Sequence, residues 1–222
     1  MTTTARRGGH WLRSLATVAA VLVLALQAPI AANAAGGILG PPNLKKTVVS
    51  VVLPVTSHSA LKHSYKIAFS LNAGSCQPQE RNYRCFAGNL VFDVCYALAA
   101  TPTTWAVVCP ESPWSHLVVR INLTASSNLP PPTGTKTPVI PWGLRLAGGK
   151  TCLAVDGAGG SVNGHPMTYF CNHMTGLLDT PNKTRAIWTQ VSAFEKAGVW
   201  VQGPTVQIAT AYVPGLDPHA GR

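Results

Sequence analysis

Six cysteines are the feature that most restricts how this chain can fold. They are Cys76, Cys85, Cys95, Cys109, Cys152 and Cys171. An even number of cysteines in an exported chain indicates a disulfide framework, and six cysteines allow 15 pairings. The sequence contains no C-x-x-C pair, and its spacings match no common zinc site, so disulfides are favoured over zinc or a redox motif. We therefore expect no metal and no cofactor.

The first 34 residues have the pattern of an export signal. Three arginines precede the apolar run 15–26, and the small-residue sequence "ANA" follows at 32–34. A basic start, an apolar core and an A-x-A site define a signal peptide. A membrane anchor is the alternative, but it needs roughly 20 apolar residues, and Pro29 interrupts this stretch. We predict cleavage after Ala34 and a secreted, extracellular protein, free or associated with the cell wall, with no transmembrane anchor after processing.

Alternation of apolar and polar residues predicts β-strands along the rest of the chain. "SYKIAFSL" at 64–71, "LVVRINLT" at 117–124 and "VQIATAY" at 206–212 alternate over their length, which is typical of half-buried strands. In the first of them, the odd-numbered side chains form the predicted buried face. "FDVCYALA" at 92–99 and "TWAVVC" at 104–109 are apolar on both faces and predict inner strands. With no long helical period, we predict an all-β fold of disulfide-stapled antiparallel sheets, sandwich-like in arrangement.

Symmetry about predicted turns favours two of the disulfide pairs, and proximity in the sequence favours the other. Cys95 and Cys109 lie at similar distances from Pro102, so antiparallel strands would place them opposite each other, within reach of a bridge. The other cysteines flank a polar loop at 77–84 and a glycine-rich segment at 156–166. We predict the pairs Cys76–Cys85, Cys95–Cys109 and Cys152–Cys171.

The third of these pairs would tie a hairpin at its base. Its strands are predicted near 151–155 and 167–171, and the glycines between them supply turn conformations that other residues avoid. The tip of such a hairpin would be exposed, which suits either a recognition loop or a simple connection.

A proline-rich segment divides the chain. Residues 129–141, "LPPPTGTKTPVIP", contain five prolines, which exclude an inner strand and favour an extended linker. We predict two β-rich halves joined by this linker. The predicted organisation is a signal peptide at 1–34, a flexible lead at 35–43, a β-rich module at 44–128, the linker at 129–141, a second β-rich module at 142–213 and a tail at 214–222.

The region around the third cysteine pair resembles one repeat of a ricin-B-type β-trefoil lectin. The likeness is carried by Gly149, Cys152, Leu153, Val155, Asn163, Gly164, Tyr169, Cys171, Asn172 and Trp188. It implies a lectin-like binding repeat. Ala154 and Ala186 depart from it, since the repeat often has Asp and Gln there. A trefoil needs three repeats, and this sequence shows one.

A broader likeness covers residues 141–213. "PWGLRLAGGKTC", followed by "VNG", a Y-x-C pair and a late tryptophan, resembles uncharacterised secreted proteins of actinobacteria. This resemblance implies no particular activity.

Sequence motifs for known catalytic sites are absent. The chain has no G-x-S-x-G and no H-E-x-x-H. Asp93 and Asp156 are the best-placed carboxylates, but a glycosidase needs two facing carboxylates about 5–10 Å apart, which spacing alone does not establish. His165 and His173 flank one predicted strand, yet lone histidines at strand ends are commoner than metal sites. We predict no catalytic residue and no metal. A secreted hydrolase whose site has no motif stays an alternative.

Charge argues against a nucleic-acid partner. Seventeen lysines and arginines face seven acidic residues, a formal net charge of +10, but the longest basic run after the signal is Lys45–Lys46. A nucleic-acid footprint usually clusters on one face. We expect no nucleic-acid partner and interpret the charge as favouring solubility.

Aromatic residues give the best indication of binding, although tryptophan in a β protein is more often part of the core. Aromatic rings stack on sugars and anchor interfaces. We therefore predict a secreted, non-catalytic binding or interaction protein for a glycan, a cell-wall polymer or another extracellular protein. A structural, envelope-associated protein is a further alternative. The candidate binding residues are Trp142, Asn163, His165, Tyr169 and Trp188.

Overall fold

A computed structural model of the chain describes residues 44–99, 105–124, 129–134, 139–155, 159–172, 174–218 and 220. The predicted signal peptide and lead lie outside these residues, as do Pro102, Asp156 and His173. None of the described residues belongs to a helix that could cross a membrane. The strands are β1 (Val48–Val52), β2 (Lys66–Pro78), β3 (Tyr83–Ala87), β4 (Leu90–Ala97), β5 (Ala106–Pro110), β6 (Leu117–Leu123), β7 (Gly143–Leu146), β8 (Thr151–Ala154), β9 (Ser161–Val162), β10 (His165–Asn172), β11 (Thr175–Asn182), β12 (Trp188–Lys196) and β13 (Val199–Pro214).

The predicted all-β class is confirmed, and the sheets close on themselves rather than stack. Strands β2 to β6 form a closed barrel. Consecutive strands pair antiparallel, and β6 returns to pair in parallel with the first half of β2. Because closure removes free edges, this small sheet leaves few unpaired backbone groups.

A bend in β2 makes that closure possible. The first half of β2 pairs with β6 and the last four residues pair with β3. Between the halves the register shifts, and Ala73 has a positive φ of 58°. Gly74 follows, and a Cβ there would overlap Cγ2 of Ile121 in the barrel interior. This bulge turns one strand between two partners, which is the usual role of such irregularities in barrels.

The first half of β2 differs from its predicted burial. Ile67 and Phe69 belong to the predicted buried face, but they are 42% and 46% exposed. The strand packs chiefly against its pairing partners β3 and β6. Alternation alone therefore overstates how much of this strand is covered.

The disulfides pair as predicted, two of them from turn symmetry and Cys76–Cys85 from proximity in the sequence. Cys76–Cys85 and Cys95–Cys109 are in the barrel, and Cys152–Cys171 joins β8 to β10. All six cysteines lie within the described residues and none is free. The sulfur atoms of Cys85, Cys95 and Cys109 lie within 4.8 Å of one another. They belong to two disulfides in contact in the barrel interior, so they are not thiolate ligands for a metal.

The remaining strands form a second closed arrangement, called here the six-stranded ring. It runs β7-β8-β10-β11-β12-β13, and the pairing of β13 with β7 closes it. β9 pairs with the start of β10, and β1 adds in parallel to the outer edge of β13. The ring interior is filled mainly by Leu144, Tyr169, Leu177 and Ile208.

The two predicted halves interleave. β1 precedes the barrel in the chain but pairs with the last strand of the ring. Tyr96 of the barrel donates its hydroxyl to the carbonyl of Val52 at 2.7 Å, and the buried Asp217 accepts the amide of Ala97 at 2.8 Å. The predicted tail therefore includes a residue that packs against the barrel. Ile38–Arg222 form one compact unit.

The described part of the proline-rich segment contains no strand. The amides of Thr133 and Gly134 donate to the carbonyls of Gln79 and Glu80. The segment is therefore attached along the barrel at these positions. Whether it acts as a linker between independently folding halves stays a prediction.

Candidate functional site

One end of the six-stranded ring is an open cavity of 680 Å³, called here the ring cavity. Leu146 of β7, Leu177 of β11 and Val206 of β13 form its apolar wall, together with the disulfide at Cys171. Since side chains alternate along a strand, these residues share the inner face with the deeper core residues Leu144 and Ile208.

Small side chains explain why this end of the ring is open. Ser192 lies opposite Leu177 in the β11–β12 register, and Thr175 precedes Leu177 by two positions. Both therefore occupy the inner face, where deeper layers carry residues such as Tyr169. A barrel of this size is normally filled by its own side chains. Phe194 lies opposite Thr175 and lines the cavity, and the small side chains of Ser192 and Thr175 leave space for a ligand beside it.

A tight turn places a lysine at the mouth of the cavity. The amide of Leu146 donates to the carbonyl of Lys150 at 2.8 Å, and the amide of Gly149 donates to the carbonyl of Leu146 at 2.9 Å. Gly149 has a φ of +83°, which favours glycine. This turn joins β7 to β8 and holds Lys150 beside the start of β11.

The mouth carries a positive charge. Among the described residues that line the ring cavity, Lys150 is the one that is charged. Its Nζ donates to Thr175 Oγ1 at 3.2 Å, and that hydroxyl donates to Asn172 Oδ1 at 2.5 Å. Within the described part of the chain, no carboxylate pairs with Lys150. The ammonium group therefore keeps donors available for a bound molecule.

A second concave site, called here the seam groove, lies where the barrel contacts the ring. Its volume is 380 Å³, and the exposed ring of Phe69 and the partly buried Trp142 line it, with Asp93 and Glu111 nearby in the wall. Asp93 Oδ1 lies 3.2 Å from Nε of Arg84. The groove thus combines aromatic faces with carboxylate acceptors.

Two of the five predicted binding residues lie together in the ring core. Tyr169 is 1% exposed, and its hydroxyl donates to the carbonyl of Pro141 at 2.8 Å. Burial raises the pKa of Tyr169 well above its ordinary value, so the hydroxyl remains a neutral donor. Trp188 packs against the same interior cluster, and Nζ of Lys183 lies 4.7 Å from its ring centroid. Tyr169 fills space in the ring interior, and Trp188 packs against that interior from a partly buried position.

The other three predicted residues lie elsewhere. Trp142 lines the seam groove. Asn163 and His165 are exposed at the hairpin formed by β9 and β10, where the φ angles of Asn163 and Gly164 are 52° and 82°. Positive φ at both central residues defines the tight turn that the Asn-Gly pair favours. The structure therefore distributes the five residues over three places.

His165 takes part in a cross-strand tie. Its Nδ1 lies 2.9 Å from Oδ2 of Asp179 on β11. Asp179 has a φ of 58°, and its carbonyl accepts hydrogen bonds from Thr168 Oγ1 and from Nε2 of the buried Gln190. Among the described residues, no serine or threonine hydroxyl forms a hydrogen bond with Nε2 of His165. The contact between His165 and Asp179 links β10 with β11.

No protein-family model, curated protein sequence or solved structure matches this chain. The ricin-B-type and actinobacterial resemblances therefore stay predictions. The class of protein is defined by its own fold: an all-β, disulfide-bonded chain with a closed barrel and a six-stranded ring.

Proposed function

We propose that this chain is an extracellular, non-catalytic binding protein that holds a small, largely apolar molecule in the ring cavity. The observation that supports this most is the cavity itself, 680 Å³ in volume, with apolar residues at depth and polar residues at the mouth. Ligand pockets in proteins span roughly 300–1,000 Å³ and have this same division of lining.

The walls of the cavity are preformed, since paired strands and a disulfide hold them in place. Leu146, Leu177 and Val206 all lie on paired strands. The Cys152–Cys171 disulfide crosses the wall between β8 and β10. A preformed site loses little conformational entropy when it is occupied, which favours binding.

Gly148 offers a way to test the cavity without disturbing the core. It lines the mouth, and a Cβ at this position would meet no atom within 4 Å. The oxidised protein is titrated with an apolar fluorescent dye, beside Gly148→Trp and the matched control Gly148→Ala. We expect wild type and Gly148→Ala to bind alike, and Gly148→Trp to lose affinity by about tenfold or more because its side chain fills the entrance.

Two outcomes would contradict the proposal. A wild-type protein that binds neither the dye nor any member of a panel of apolar small molecules would remove it. Equal affinity of Gly148→Trp and wild type would place the bound dye elsewhere.

A second candidate is glycan binding in the seam groove. It is favoured by Phe69 and Trp142 beside the carboxylates of Asp93 and Glu111, because sugars are bound by stacking on rings and by hydrogen bonds to acceptors. The test is a pull-down with insoluble glycans and purified cell wall. We expect Phe69→Ala to reduce retention, while Phe170→Ala, which removes a comparably exposed ring on β10, leaves it unchanged. Equal retention of both variants would remove this candidate.

Export is part of the proposal. Three disulfides are typical of proteins in oxidising compartments, and the N-terminal sequence has the pattern of a cleaved signal. N-terminal sequencing of exported protein should begin at Ala35 or within a residue or two of it. Recovery of the full-length chain in the membrane fraction would contradict export.

A further inference from the structure

We propose that the ring cavity selects amphipathic anions, with the anionic head at Lys150 and the apolar chain inside the six-stranded ring. This inference rests on the proposed binding function and adds the chemical class of the ligand. It predicts a preference for a carboxylate such as that of a straight-chain acid over a neutral or cationic molecule of the same length.

The charge at the mouth is the first step. Lys150 is the one charged side chain among the described lining residues, and no described carboxylate neutralises it. A cationic head would be repelled there, and a neutral head could accept a hydrogen bond from the ammonium group but would bring no opposite charge. An anion forms a charge-assisted hydrogen bond, which is stronger than a neutral one.

The second step is the orientation of that charge. Thr175 Oγ1 accepts from Lys150 Nζ and donates to Asn172 Oδ1, so the hydroxyl is directed by both neighbours. A lysine ammonium has three donors. Thr175 takes one, and the remaining donors are free to bind a head group at the entrance. Fixing the ammonium beside Thr175 reduces the entropy that a flexible lysine would otherwise lose on binding.

The third step is the contrast between mouth and depth. Below Lys150 the wall is formed by Leu146, Leu177, Val206 and the Cys171 disulfide. These groups offer an alkyl chain contact without hydrogen-bond competition. As far as the structure describes the lining, it contains no acidic residue that would repel a carboxylate. An apolar chamber with a cation at its entrance is complementary to a molecule with an apolar chain and an anionic end.

The experiment compares three ligands that differ only in their head. A straight-chain saturated acid, the alcohol of the same length and the amine of the same length are titrated against the oxidised protein. We expect the acid to bind about fivefold or more tightly than the alcohol at low salt, with the amine weakest. Raising the ionic strength should reduce the advantage of the acid and leave the alcohol unchanged.

Two lysine variants test whether the preference for the acid depends on Lys150. Lys150→Met keeps the length of the side chain and removes the charge, so the acid should fall to the affinity of the alcohol. Lys66→Met, an exposed lysine on β2 away from the cavity, makes the same change in net charge and should keep the preference. A preference that survives Lys150→Met, or is lost in Lys66→Met, would overturn the assignment to Lys150.

Failure of this inference is distinct from failure of the proposed function. Equal binding of acid and alcohol by the wild-type protein would overturn the anion preference while the cavity remains a binding site. Tighter binding of the amine would also overturn it. If none of the three ligands binds and the apolar dye fails as well, the proposed function itself is contradicted.

Discussion

Buried tyrosine hydroxyls serve this chain as donors to backbone carbonyls. Tyr96 donates to Val52 and Tyr169 to Pro141. Burial raises the pKa of Tyr96 and of Tyr83 above their ordinary value of 10.0, and the negative charge of Asp217 raises both further. Each of these tyrosines is at most 1% exposed. Their hydroxyls therefore stay protonated in the folded chain at a pH where they would ionise in the unfolded one.

Stability should consequently fall in alkali. Above pH 10.0 the unfolded chain releases tyrosine protons that the folded chain keeps, so the free energy of unfolding decreases as pH rises further. Urea unfolding at neutral pH and above pH 10.0, followed by tyrosinate absorbance and circular dichroism, measures this. Tyr96→Phe should lose about 1 kcal/mol at neutral pH, because the Val52 carbonyl loses one of its two donors and keeps the amide of Gly215, and should show a shallower alkaline decrease. Ionisation of all tyrosines near pH 10.0 without unfolding would contradict the argument.

Gln190 should contribute to the stability of the fold although its side chain is uncharged. It is 3% exposed, and its Nε2 donates to the carbonyls of Leu178 and Asp179 at 3.1 and 2.8 Å. Gln190→Leu keeps similar volume but leaves those carbonyls without this donor, so we expect a loss of about 2 kcal/mol. Chemical denaturation measures it, and the exposed Gln202→Leu, with an expected change within about 0.5 kcal/mol, is the control. Equal stability of Gln190→Leu and wild type would show that the carbonyls find other partners.

At the scale of single strands and turns, local sequence patterns predict much of the fold. The Asn163–Gly164 pair marks the turn between β9 and β10. The positions of the cysteines, symmetric about a turn for two pairs and close in the sequence for Cys76–Cys85, predict all three bridges. Both patterns are local, since the bridged cysteines are 9 to 19 residues apart. The parallel pairing of β2 with β6 has no such signal, because closure of a barrel depends on bends and registers set by the whole sheet.

The bend of β2 predicts opposite changes in stability for substitutions at two neighbouring residues. Gly74→Ala should destabilise the chain by about 1–3 kcal/mol, since its Cβ would overlap Ile121 and force the barrel apart. Ala73→Gly should be neutral or stabilising, because φ of +58° strains alanine more than glycine. Thermal and denaturant unfolding of both variants tests this. A Gly74→Ala protein as stable as wild type would mean that the bulge is not needed for closure.

The ring cavity shows why a site of this kind escapes prediction from sequence. Leu146, Leu177 and Val206 look like ordinary strand residues, and Lys150 looks like an ordinary turn residue. They meet because the ring closes through β13 and β7. The aromatic residues chosen from the sequence, Tyr169 among them, include those that fill the interior, because large rings are what a ring of this size uses as core.

At the scale of the whole molecule, barrel and ring are joined by more than one chain connection. β1 pairs with β13, and Asp217 near the end of the chain contacts Ala97 in the barrel. Cutting the chain between the halves should therefore leave them associated. With a protease site placed within residues 135–138, we expect the two fragments to co-elute under native conditions and to separate in urea.

A companion experiment adds a second cut that frees β1 from the barrel fragment. With a further protease site placed at 63–64, just before β2, the segment that contains β1 should co-elute with the other two fragments under native conditions, because β1 pairs with β13. Immediate dissociation of the fragments after cleavage at 135–138 alone would instead support two independent domains, as the proline-rich segment predicts.

The pairing of β1 with β13 also restricts the order in which parts of the chain can fold. Thr47 Oγ1 donates to the carbonyl of Ile208, 161 residues further along the chain, and the strand that follows Thr47 lies beside the last strand. During synthesis the earliest described strand emerges long before its partner exists, and closing so long a loop is slow. Until β13 has been synthesised, β1 has no strand to pair with and the ring cannot close through β13 and β7. The barrel, whose strands are complete at Leu123, can close before that point, so the ring is the last part of this chain that can fold.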